Sequence, residues 1–166
     1  MDSNINLTIL NEISKAAKMG MESISFVIQK VGDENMKENL STQYSEYGKI
    51  ADRVNTEFEK YGEVPDESPF GTKMMSYIGT ELNTLKDKSN SHIAEIVIQG
   101  GNMGIIECQK LLNHNPQADE PVKNILNDFV TMQKNNINVF EVDDETELVN
   151  DRIINSLLLI TLISGI

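Results

Sequence analysis

SHIAEIVIQGGNMGIIECQKLL, residues 91–112, has two readings that lead to different folds. As a strand, a glycine loop and a helix, it would cradle a phosphate in a nucleotide-binding enzyme. As one helix with glycines along a face, it belongs to a helical bundle. The dinucleotide fingerprint needs G-x-G-x-x-G between strand and helix, then an acidic residue about 20 positions on. The glycines here are Gly100, Gly101 and Gly104, a different spacing, and Asn124 stands where the acid would be. No G-x-x-x-x-G-K-S/T run occurs. In a helix, Gly100, Gly104 and Cys108 fall at i, i+4 and i+8 and share a face. Each glycine there costs about 1 kcal/mol against alanine, so a close helix neighbour or a ligand slot should offset it. The spacing favours the helix.

Working outward, the prolines fall only at 65, 69, 116 and 121, leaving long uninterrupted stretches between them. Proline suits loops and first turns and breaks helix interiors, so this is the pattern of an all-α chain. A first helix is expected over residues 4–31, with Ile9, Ile13, Ala16, Ala17, Gly20, Ile24, Val27 and Val31 on one face. Gly32 is placed to end it in the left-handed conformation, and Asp33 to cap the next helix. That second helix spans 34–61, with Met36, Leu40, Gln43, Tyr47, Ile50, Val54, Phe58 and Tyr61 as its stripe, and Gly62 stops it. The short turn makes the pair an antiparallel hairpin.

Residues 62–71 read as a loop, followed by a shorter helix to about Lys86. A single helix over 72–114 would be about 65 Å long, out of scale with its neighbours, so a break is expected at Ser89–Ser91. The third main helix spans 91–113. Asp119 is placed to cap the fourth, with Pro121 in its first turn and Val122, Ile125, Phe129, Met132 and Ile137 on its stripe, to about Phe140. Ala16 and Gly20 match the small face of Gly100, Gly104 and Cys108, so these five residues are expected to form a helix-packing groove. The expected architecture is a four-helix bundle with one long crossover that carries a short extra helix.

Composition narrows the function. The 166 residues suit one domain with a real core. The net charge of −12 disfavours nucleic acid and anionic lipid as partners. One cysteine rules out an internal disulfide framework and a cysteine-based zinc site. MDSNINLTIL lacks a basic region and a long apolar run, so no signal peptide is expected and the cytoplasm is the expected compartment.

DKSNSHIAEIVIQGGNMGII, together with LNEISKAAKMGMESI and QYSEYGKI, resembles a group of bacterial proteins of Firmicutes type that is assigned to the ferritin-like superfamily. The resemblance covers roughly residues 5–140. It implies the fold and no particular reaction. Di-iron members of that superfamily use a Glu from each of two helices and Glu-x-x-His from each of the other two. No Glu-x-x-His occurs in this chain, and His92-Ile-Ala-Glu95 runs in the reverse order. The remaining metal candidates are Glu12, Glu22, Glu46, His92, Glu95 and Glu107, of which Glu12, Glu46, His92 and Glu107 would take iron or manganese. The alternative for each Glu is a solvated or helix-pairing charge, and for His92 a first-turn hydrogen bond. Gln43 reads as a buried amide that fixes register, and Cys108 as inert core.

The function expected from these residues is a non-catalytic binding or self-association module, a homodimer by default, without an intact di-iron site and without a cofactor. The alternatives are a metal-dependent oxidase or storage protein and a membrane-associated protein. The last rests on residues 141–166, which hold six acids against Arg152 alone and end in IINSLLLITLISGI. As a helix that apolar run reaches about 21 Å, short of a 30 Å hydrocarbon core. Three readings stand for it: packing onto the bundle or a second subunit, a membrane-seeking terminus, or an end from a shifted reading frame.

Overall fold

The computed structural model describes residues 3–66 and 89–141. Four long helices make up almost all of it: α1 (Ser3–Ile28), α2 (Glu34–Tyr61), α3 (Asn90–His114) and α4 (Glu120–Glu141). There is no strand among the described residues. The extra helix expected before Ser89, and the acidic and apolar tail beyond Glu141, lie outside the described residues.

Local chemistry sets most of the helix ends. Asp33 takes extended backbone and its Oδ1 accepts the Met36 N–H at 2.8 Å, which begins α2. Gly62 ends α2 at φ 69, and its N–H returns to the carbonyls of the last turn. Ser89 accepts the His92 N–H at 3.3 Å, so the break expected at Ser89–Ser91 is a helix start. The first helix departs from expectation. It stops at Ile28, three residues early, and Gly32 has no positive φ. The Lys30 N–H bonds the Val27 carbonyl at 2.8 Å, tightening the chain into a turn, and the Lys30 ammonium sits over the Phe26 ring. Val31 is still buried, now from the connector instead of the helix.

Every apolar position on the expected stripes of α1, α2 and α4 is buried, except Gly20 and Tyr61, which are half-buried. Contacts between helices fix their directions. Tyr47 meets Gly20 of α1, and Tyr61 reaches Asn6 further back along it, so α1 and α2 are antiparallel. Gln43, Tyr47 and Tyr61 of α2 meet Asn136, Gln133 and Asp119 in descending order, so α2 and α4 are antiparallel. Gly101 and Gly104 of α3 meet Ile137 and Gln133, so α3 and α4 are antiparallel as well. It follows that α2 and α3 are parallel. The end of α2 and the start of α3 therefore lie at opposite ends of the bundle, about 40 Å apart. Two hairpins, α1–α2 and α3–α4, are joined by one long crossover.

Candidate functional site: a neutral cavity at the centre of the bundle

All four helices contribute to one cavity in mid-bundle. It encloses about 610 Å³ of empty space, its open mouth included. The α2 and α4 residues that line it, Gln43, Tyr47, Phe129 and Gln133, are all buried and form the floor. The half-buried lining residues, among them Met19, Ser23, Val97 and Gly100, all come from α1 and α3. The mouth therefore lies between those two helices.

The floor is a polar row in an apolar setting. The Tyr47 hydroxyl donates to Gln133 Oε1 at 2.9 Å. Gln43 Nε2 donates to the Asn136 carbonyl at 3.4 Å, tying α2 to the main chain of α4. The Tyr47 ring lies 6.0 Å from that of Phe129, tilted by 58°. Burial pushes the Tyr47 phenol up to about 12, against the pull of its bond to Gln133. Among the described residues, no side chain lining the cavity carries a charge.

Small residues make this space possible. A Cβ on Gly20 would sit well under 3.0 Å from the Tyr47 ring, so the ring tip occupies the place of a side chain there. A Cβ on Gly104 would meet Gln133 Nε2 at 3.0 Å, and one on Gly101 would meet Ile137 at 3.2 Å. Among the groove candidates, Ala16, Gly20, Gly100 and Gly104 line the cavity, whereas Cys108 is not part of its wall. Gly20 admits Tyr47 of α2, and Gly101 and Gly104 admit α4. Cys108 is buried one turn beyond Gly104, and burial pushes its thiol up to about 12, which leaves it protonated and unreactive at neutral pH.

The metal candidates stand apart. Glu12 pairs with Lys15 at 3.5 Å and Glu107 with Lys110 at 3.0 Å, each within one turn of its own helix. His92 Nδ1 is 3.3 Å from Glu95 Oε2 in the first turn of α3. Glu46 neighbours Tyr47 on α2, and its Oε2 is buried with no hydrogen-bond partner among the described residues. None of the four lines the cavity. Among the described residues no group of three or more His, Cys, Asp or Glu could hold a metal ion.

Gln133 and Asn6 escaped the reading of the sequence. Gln133 falls between Phe129 and Ile137 at steps of four, which is stripe spacing. Asn6 stands three residues before Ile9 in the same way. It is buried, and its Oδ1 accepts the Asp119 N–H at 3.0 Å at the start of α4. An amide at a stripe position was the available signal in both.

No protein-family model matches the chain, and no curated protein sequence matches it. Two solved structures are similar in fold. YcfI of Rhodopseudomonas palustris, to which a structural role is attributed, superposes with a TM-score of 0.71 at 14% identity, covering 86% of this chain and 94% of its own. The Escherichia coli stress protein YciF superposes with a TM-score of 0.68 at 10% identity, covering 92% of this chain and 98% of its own. The fold is an all-α four-helix bundle, shared with these two structures. No helix among the described residues is long and apolar enough to cross a membrane.

Proposed function

We propose that this chain is a non-catalytic binding module on a ferritin-like bundle, with a neutral ligand cavity where di-iron relatives of the fold hold metal. The observation that carries this reading is the uncharged lining that the described residues give the mid-bundle cavity. A dinuclear iron or manganese centre needs carboxylates and imidazoles converging from all four helices. Here Gln43, Tyr47, Phe129 and Gln133 occupy the α2 and α4 side of that space, and glycines much of the α3 side. Glu12, His92 and Glu107 meet partners on their own helices instead. The structural role attributed to YcfI is in keeping with a bundle that works without chemistry of its own. The reading extends to a cytoplasmic homodimer related to the Firmicutes-type group that the α3 motif resembles.

The test is elemental analysis of tag-free protein from cells supplied with iron and manganese. The expected result is no stoichiometric metal. Dinuclear stoichiometry that is lost in Glu107→Ala or Glu46→Ala would overturn the reading in favour of a metal-dependent oxidase or storage protein. Sedimentation velocity on the same sample checks the dimer.

A further inference from the structure

Two polar atoms in the cavity floor are unused. Gln133 spends its Oε1 on the Tyr47 hydroxyl, and its Nε2 has no partner among the described residues. Gln43 spends its Nε2 on the Asn136 carbonyl, and its Oε1 has no partner among the described residues. Both side chains are more than nine-tenths buried, and both line the cavity. Neither atom is among the fully buried ones that lack a partner, so both keep access to the cavity space, and one free donor and one free acceptor on the same floor can serve a single ligand that offers both. The walls above them are apolar: Ile24, Val27, Ile96 and Phe129. Among the described residues no charged group faces the space, so a bound ion would be stripped of water without a counter-charge from them. Along α1 the lining runs from Ala16 to Val27, about 16 Å of helix.

We infer that the cavity is a site for a neutral aliphatic molecule with one hydroxyl-type head group. Its alkyl chain lies along α1 and α3 below the mouth. Its oxygen accepts from Gln133 Nε2, and its O–H donates to Gln43 Oε1. The inference rests on the binding-module reading above and adds the class of ligand.

The probe is 1-octanol, whose extended chain is shorter than the α1 lining. It is titrated calorimetrically into the full chain at neutral pH, beside octanoate and the isomeric ether 1-methoxyheptane. Saturable single-site binding of 1-octanol is expected. Octanoate should bind at least about tenfold more weakly, because its carboxylate meets no cation. The ether accepts but cannot donate, and should bind about fivefold more weakly. Gln133→Met should abolish the preference for alcohol over ether. Ser23→Leu, at the mouth, should weaken all three probes while circular dichroism shows unchanged helix content, so loss of binding is separable from loss of fold. Octanoate binding as tightly as 1-octanol would overturn the neutral-head assignment. Absent 1-octanol binding in metal-free, folded protein would overturn the site while leaving the module reading intact. Stoichiometric metal in the same preparation would overturn the module reading itself.

Discussion

Two tyrosines of α2 reach across to α4 in opposite electrostatic settings. Tyr47, in mid-helix, is buried and donates to the neutral amide of Gln133. Tyr61, the last residue of α2, is half-buried and meets the Asp119 carboxylate at 3.5 Å, with Asn6 beside it. Burial and then the Asp119 charge raise the Tyr61 phenol. At the bundle end water still solvates a carboxylate, so a charged partner is tolerated. At the centre burial removes most of that solvation, and neutral groups occupy the corresponding contacts. The same helix seam is thus built to two standards, and the neutral one coincides with the cavity.

Placing a charge at each end of this contrast breaks or sharpens it. Gln133→Glu should destabilise the fold at pH 7 by about 3 kcal/mol, because the new carboxylate has no buried counter-ion. Desolvation raises the folded pKa of the new carboxyl above its unfolded value. The penalty is therefore absent below roughly pH 4 and grows as pH rises from there. Urea unfolding at several pH values reads this directly. A loss that does not vary with pH would mean that lost packing, and not charge, sets the cost.

Gly20→Ala should cost about 2 kcal/mol by forcing the Tyr47 ring to move. In a Tyr47→Leu background the same substitution should be nearly neutral. A double-mutant cycle that gives additive losses would separate the two residues.

The Tyr47 phenol also gives the centre an alkaline signature. Its folded pKa is about 12 against 10.0 for an ordinary tyrosine. The stability it contributes is complete below about pH 10 and is lost as pH rises toward 12, with a slope of about 1.4 kcal/mol per pH unit. Tyr47→Phe should flatten that part of a stability–pH curve, and an unchanged slope would place the ionising group elsewhere. Asp119→Asn, at the solvated end, should shift stability by less than about 1 kcal/mol in urea unfolding at neutral pH. A loss equal to that of Gln133→Glu would erase the distinction between the two regions.

Much of this architecture was legible from the chain because helix stripes and caps are local chemistry. Ile9, Ile13 and Val27 are buried as their spacing predicts, and Asp33, Gly62 and Ser89 mark real helix ends. Gly32 misled because a tight turn at Val27–Lys30 ended α1 before the glycine was reached. The candidate site was less legible. Gly20 and Gly104 were visible as small residues, but which helix each would admit depends on how the bundle closes. The partners turned out to be Tyr47 and Gln133, far away in sequence. The spacing of Gln133 between Phe129 and Ile137 puts it on the inward face of α4, but only the closed bundle sets Tyr47 opposite it.

The long connection over 62–89 has a mechanical consequence. Because α2 and α3 are parallel, α1 and α4 are parallel too. Ser3 therefore lies at the bundle end shared with the start of α4, and Glu141 lies at the opposite end. A force applied through those two points would run along the long axis. It would load the helices in shear, so that a whole interface must slip at once, instead of peeling one helix away turn by turn.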